Sequence, residues 1–339
     1  MNIPPKIVCL AFYMVLFFNL YAQHPVRDVR IMFYNVENLF DTYDDPQTDD
    51  EEFLPGKGRN WNSVRFRNKL TAISKVIMAV GGWETPDIIG MCEVENRYVV
   101  EQLLKRTPLG QMGYQIIHKE SQDKRGIDVS LIYKKEKFNP FNYQYLEVKD
   151  QHGELLDTRE ILYVAGILEN GDTVHLFYNH WPSRFGGYLE TTTLRELAAQ
   201  TLRNAIDRLY LKHPDPKVII MGDFNDQPDD ESLVKVLLGG RPEAGLINLS
   251  VNWVAANKGT IKHQSQWQVF DQVIISAVLL RTDAGTFCRQ EDAHILRSRF
   301  LLTEDKTYGG MKPFRTYSGF KYTGGFSDHL PVYLDLFFR

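Results

Sequence analysis

Cysteine is nearly missing from this chain: 3 among 339 residues, and Cys9 falls in the N-terminal apolar stretch, leaving Cys92 and Cys288. Two thiols cannot build the disulfide framework of a small secreted scaffold, and Cys92, inside an apolar segment, reads as a small buried side chain. An excess of positive charge is missing too. The 39 Lys and Arg stand against 43 Asp and Glu, a formal net charge of −4, which excludes bulk polycationic binding of nucleic acid and leaves only a local basic groove for that purpose. The sequence also lacks internal repeats, low-complexity tracts, a dividing linker and the steady strand–helix alternation of a doubly wound parallel sheet.

The composition present is 43% hydrophobic and 24% charged, that of a folded chain with a sizeable core. Large two-layer β folds with helical covers reach this length undivided, so one domain over residues 28–339 is expected. Ahead of it, Lys6 precedes an apolar stretch at 7–20, followed by Tyr21-Ala22-Gln23. That stretch is too short to span a bilayer and matches a signal peptide over 1–22, cleaved after Ala22. The expectation is an exported protein, periplasmic or secreted, monomeric and without stable membrane insertion after cleavage.

Apolar runs at 29–36, 86–93, 127–133, 162–168, 172–180 and 217–221 predict strands, and helical spacing predicts helices over 64–80 and 193–210. Polar groups sit at several strand ends. Asn35 closes the first run, Glu93 the second, His180 a later one, and Met221-Gly222-Asp223-Phe224-Asn225-Asp226 follows Val218-Ile219-Ile220. Near the C-terminus stands Phe326-Ser327-Asp328-His329-Leu330-Pro331. Carboxylates, amides and imidazoles held at strand ends are what metal-assisted phosphoester chemistry requires. A strand-end carboxylate such as Glu93 can bind a hard cation, whereas Glu95 reads as a surface or helix-capping residue. Asp223 can orient or deprotonate a water, and Asn225 can donate to a phosphate oxygen without adding repulsion. His180 and His329 each have a candidate carboxylate, Asp128 and Asp271 respectively, to fix the tautomer and favour the charged ring. The acidic run at 44–52 lacks EF-hand spacing and reads as a solvated loop.

Together these segments, with Gly126-Ile127-Asp128-Val129-Ser130, Asn179-His180-Trp181-Pro182-Ser183 and Phe270-Asp271-Gln272-Val273, resemble the endonuclease/exonuclease/phosphatase superfamily, the group of pancreatic deoxyribonuclease. The resemblance runs from about Val29 to the C-terminus. It implies an α-β-β-α sandwich of four layers, two mainly antiparallel or mixed sheets flanked by helices. It further implies Mg²⁺, with Mn²⁺ or Ca²⁺ as substitutes. Glu93 would be the principal metal ligand, with Asn35 and Asp328 close by. Asp223 would activate water, Asn225 hold a phosphate oxygen, and His329, oriented by Asp271, engage the scissile phosphate. His180 matches the second histidine of the deoxyribonuclease and sphingomyelinase branches, with Asp128 as its partner. Cys92 and Gln272 depart from the common pattern without removing a required charge.

For the substrate, Arg184 reads equally as a phosphate contact or a surface ion pair. Residues 297–322 interleave Arg297, Arg299, Lys306, Lys312, Arg315 and Lys321 with Phe300, Tyr308, Phe314, Tyr317, Phe320 and Tyr322. That pattern suits a nucleic-acid strand as well as it suits ordinary hairpins. The expected function is an exported metal-dependent nuclease. A phospholipid phosphodiesterase or inositol-phosphate phosphatase is the enzymatic alternative, and a non-catalytic binding module on the same fold ranks last.

Overall fold

The structure is a computed structural model that describes residues 27–239 and 245–339; the expected signal peptide lies outside them. In chain order its main elements are β1 (Val29–Leu39), α1 (Ser63–Gly81), β2 (Ile88–Val94), α2 (Arg97–Lys105), β3 (Tyr114–His118), β4 (Asp128–Lys134), β5 (Phe138–Leu146) and β6 (Ile161–Leu168). They continue with β7 (Thr173–His180), α3 (Tyr188–Lys212), β8 (Lys217–Asp223), β9 (Leu246–Asn248), β10 (Asp271–Ser276), β11 (Thr286–Phe287), β12 (Ala293–Ile295) and β13 (Val332–Phe338).

The first sheet runs β11-β13-β1-β2-β4-β3, with β12 also on β13, and the second runs β5-β6-β7-β8-β10-β9. Each is antiparallel except for one central parallel pair, β1 with β2 and β7 with β8. Both faces of the central strands are covered, which is why they read as unbroken apolar runs. Alternate residues of β1 divide between two cores: Ile31 and Phe33 face the second sheet, Met32 and Tyr34 face α1 and α2. In β8, Ile219 and Met221 face the first sheet, while Val218 and Ile220 face α3. The result is the expected helix-sheet-sheet-helix stack. Its two sheets approach so closely that a Cβ on Gly90 would lie 2.1 Å from the Tyr178 ring, so this inner position accepts no side chain.

Local signals fix the helix starts. Asn62 caps α1 by accepting from Val64 N and Arg65 N, and Asn96 caps α2 by accepting from Val99 N. Both α1 and α3 lie where expected, and α3 begins five residues before 193, on a first turn that carries no apolar periodicity. The basic and aromatic segment 297–322 forms small hairpins, Leu302–Glu304 with Met311–Pro313 and Tyr317–Ser318 with Lys321–Tyr322. Cys92 and Cys288 are buried free thiols.

Candidate active site

Register brings the predicted residues to one end of both sheets. Asn35 pairs with Cys92, immediately before Glu93; His180 pairs with Asp223, and Asp223 with Asp271. The segment carrying Asp328 and His329 is tied to β1 through Ser327, whose Oγ donates to Asn35 O at 2.7 Å and accepts from His329 N at 3.0 Å. The strands do not end plainly. Glu37, Asn38, Glu93 and Asn225 have φ of 52°, 55°, 60° and 51°, and β1 and β2 are bulged at this point. Left-handed backbone at non-glycine residues costs on the order of 1–3 kcal/mol each and persists where surrounding structure enforces it.

Asp223 is the hub. Its Oδ1 accepts from Asn225 N at 2.9 Å, and its Oδ2 accepts from Asn35 Nδ2 at 3.0 Å. The same Oδ2 lies 3.7 Å from His329 Nε2 and 3.9 Å from His180 Nε2. Glu93 accepts from Asn35 Nδ2 at 3.1 Å and from Asn38 N at 2.9 Å, and its Oε1 lies 3.9 Å from His180 Nε2.

The two imidazoles are shifted in opposite directions. Burial opposes a charge on His329, but Asp271, with Oδ2 2.7 Å from Nδ1, and Asp223 outweigh it and raise the imidazole well above its ordinary value. Burial, Arg159, Arg125 and His329 together push His180 well below that value. His180 Nδ1 is buried without a hydrogen-bond partner among the described residues. Burial also raises Asp223, an effect that His329 partly offsets. For Asp328, burial raises the carboxyl, and Arg315, His329 and Lys69 outweigh it to hold it below the usual range.

Several expectations change. Asp128 does not partner His180: β4 starts with it against the neighbouring strand, so its Oδ2 meets His118 Nε2 at 2.9 Å and its Oδ1 accepts from Ser121 N at 2.7 Å. Arg184 is committed to its own chain, donating to Asn225 O at 2.6 Å and Asp226 Oδ1 at 2.9 Å and pairing with Asp230. It braces the loop after β8. Glu95 is buried, accepting from Asp41 N, because the chain after β2 folds back over the acidic loop. Within that loop Asp50 is itself buried. Many basic groups of the segment before Asp328 are already engaged: Arg297 stacks on Trp267, Lys312 pairs with Asp305, and Arg315 bridges two carboxylates.

Sequence reasoning missed that last bridge. Arg315 Nε donates to Glu37 Oε1 at 3.1 Å and its Nη2 to Asp328 Oδ2 at 2.8 Å. Beneath it Lys69, on α1, donates to Thr316 Oγ1 at 2.5 Å and Phe326 O at 2.6 Å, with Glu37 Oε2 3.9 Å away. Burial lowers Lys69 to about 8, against the pull of Glu37 and Asp328. A lysine among Phe66, Leu70 and Ile73 on the apolar stripe of a helix was the available signal. Arg159 was missed as well. It donates to Asp123 Oδ2 at 2.8 Å and Trp181 O at 2.6 Å, next to His180.

The profile of the Endonuclease/Exonuclease/phosphatase family matches residues 30–337. This chain belongs to that family. Its members are hydrolases of phosphoester bonds, generally dependent on a divalent metal. No curated protein sequence matches the chain. Among solved structures, the human Nocturnin catalytic domain with bound sulfate is 15% identical, with 93% of this chain and 96% of that one covered at a TM-score of 0.56. A Bacteroides thetaiotaomicron mannosyl-6-phosphatase is 14% identical, covering 91% of this chain and 100% of that one at 0.56. Truncated Caenorhabditis elegans TDP2 is 17% identical, covering 92% and 97% at 0.53. At these identities the likeness establishes the sandwich fold. Asp223, Asp271 and His329 each offer an atom within 4.8 Å of the others, close enough for one cation. Asp271 Oδ2 already engages His329 Nδ1 at 2.7 Å, which leaves Nε2 as the ring nitrogen facing Asp223.

Proposed function

We propose that this chain is an exported, divalent-metal-dependent phosphodiesterase acting on nucleic acid. One observation carries the choice of a diester over a monoester. In the segment after His180 lies a cleft of about 440 Å³ whose walls include Pro182, the exposed Phe185 and the exposed Arg125, with Asp123 and Asp157 on the same wall. It offers cationic and stacking groups to a substrate that continues past the scissile phosphate.

The donor set suits a hard cation: Glu93 and Asp328 are partly buried carboxylates at the same end of the sheets, Glu93 held by Asn35 and Asn38 and Asp328 by Arg315. Glu93 would hold Mg²⁺ with Asp328 near it. Asn35 would aim Glu93, since its amide oxygen is occupied by Glu37 N. When bound, the ion supplies charge neutralisation at the phosphoryl oxygens. The side chains do the rest. Asp223 Oδ2 accepts the proton of the attacking water, its basicity enhanced by burial. His329, with Nδ1 on Asp271, presents a charged Nε2–H to a non-bridging oxygen. His180 Nε2 lies 3.9 Å from Asp223 Oδ2 on the same side, and Asn225 Nδ2, which donates one hydrogen to Trp181 O at 3.0 Å, keeps a second for a phosphate oxygen.

The test is a substrate panel of plasmid DNA, RNA, bis(p-nitrophenyl) phosphate, p-nitrophenyl phosphate and sphingomyelin, with Mg²⁺ and with EDTA. Turnover of nucleic acid and the diester that EDTA abolishes is expected. Cleavage of the monoester alone, or of sphingomyelin alone, would overturn the substrate assignment, and EDTA-insensitive turnover would overturn the metal role. Recovery of the protein in the producing cell's cytosol at full length would overturn export.

A further inference from the structure

We propose that the outer face of the second sheet carries a separate, non-catalytic binding site for a small anion with a planar ring, of mononucleotide size. Near the C-terminal end of α3 a cavity of about 650 Å³ opens between that helix and β5 to β7, within the usual size range of ligand pockets. It is on the other side of the sheet from the catalytic cluster. His175 and His180 are five residues apart on one strand, so they point to opposite faces, about 16 Å apart along it.

The cavity lining supplies the two chemistries that such a ligand needs. Aromatic rings form one wall: the Tyr163 and His175 ring planes are nearly parallel, 4° apart, and Phe177 packs against Tyr163. Tyr163 Oη and His175 Nδ1 lie 2.9 Å apart, which fixes that ring, and His213 packs against it at 5.6 Å. Cations form the rim. Arg208 and Lys212 stand one helical turn apart, both exposed, with no ion-pair partner among the described residues. Of the other rim charges, Lys217 pairs with Asp172 at 3.1 Å, and the exposed Asp215 lies 3.8 Å from Arg281, which also pairs with Asp283. Uncompensated cations over an aromatic floor select an anion carrying a flat ring over either a free phosphate or an uncharged nucleoside. This site does not rest on the phosphodiesterase assignment.

The test titrates adenosine 5′-monophosphate, with adenosine and inorganic phosphate as controls, into three proteins: the wild type, the Arg208→Glu/Lys212→Glu variant and His329→Ala. Calorimetry gives affinity, and proton NMR follows the His175 ring. Saturable binding of the monophosphate that moves the His175 signals is expected, weakened at least about tenfold by the double charge reversal and within about twofold of wild type in His329→Ala. Diester turnover should be unchanged in the charge-reversed variant. Monophosphate binding that survives charge reversal but disappears in His329→Ala would place it in the active site and overturn the proposal. So would equal affinity for adenosine or phosphate, or no saturation up to about 5 mM.

Discussion

Replacing Asp271 with Asn changes one atom type and tests the charge state on which the site depends. The carboxylate is fully buried, its Oδ2 is 2.7 Å from His329 Nδ1, and its Oδ1 has no other hydrogen-bond partner among the described residues. Removing one member of a buried ion pair costs roughly 3–5 kcal/mol. The amide keeps a hydrogen-bonding shape and Asp223 remains 3.7 Å from the ring, so about 2 kcal/mol is the expected loss of stability, read as a melting-temperature drop of about 3 °C for a domain of this size.

The pH dependence has a definite sign. Asp271 and Asp223 hold His329 above its unfolded value of 6.5. The proton on the ring therefore stabilises the fold fully below pH 6.5, and that contribution disappears as pH rises through the higher folded value. Without Asp271 the window narrows from its alkaline side. If the charged ring is the catalytic form, the alkaline limb of kcat/KM moves toward lower pH, and turnover at neutral pH falls by roughly 10²–10³, the range of a lost charge-stabilising donor. The assay is bis(p-nitrophenyl) phosphate hydrolysis across pH 5.5–9.5 at saturating Mg²⁺, with circular dichroism to confirm the fold. Turnover within about threefold of wild type and an unmoved alkaline limb would refute the assignment of His329 as a charged group governed by Asp271.

Two further outcomes separate the network from its surroundings. In a double-mutant cycle read by urea unfolding, Asp128→Asn should couple to His118→Gln by about 1 kcal/mol and to His180→Gln by less than about 0.5 kcal/mol; the reverse order would restore His180 as the partner of Asp128. Lys69 is lowered from 10.5 to about 8, so the unfolded chain binds more protons between those values and stability rises with pH there by at most about 3 kcal/mol. Lys69→Met should flatten that rise, and an unchanged slope between pH 8 and 10.5 would mean that the buried ammonium is compensated.

What was legible in the sequence follows from what is local. A strand covered on both faces is apolar throughout, and a helix covered on one face is apolar every third or fourth residue, so 29–36 and 64–80 declared themselves. The residues placed at the site, Asn35, Glu93, His180, Asp223, Asn225, Asp271, Asp328 and His329, were found because each interrupts or follows such a run. Partners were legible only where pairing is close. Asp271 and Asp223 are cross-strand neighbours beside His329. The partner of His180 was misassigned, since whether a strand-end carboxylate turns to the neighbouring strand or across the sandwich depends on register, which no single segment contains. Glu37, Lys69 and Arg315 come from three distant parts of the chain, so no one segment contains the bridge they form.

The left-handed residues explain why the strand ends were informative at all. Glu93 pairs in no ladder. It sits in the bulge between Cys92 and Val94 with φ of 60°, and this turn points its carboxylate at Asn35 and Asn38. Asn225 has the same backbone form, held by Asp223 Oδ1 on its own N–H and by Arg184 on its carbonyl. Glu37 and Asn38 repeat it on β1, with Arg315, Lys69 and Thr316 gripping the Glu37 side chain. The first two parent strands therefore bulge, and the third ends, at left-handed residues that outside contacts hold. Arg184, read equally as a phosphate contact or an ion pair, and Lys69, on an otherwise apolar helix face, serve the site from behind by keeping these turns in place. It follows that substitutions at these bracing residues should loosen catalytic geometry before they unfold the chain, because the turns hold strain and the strands behind them do not.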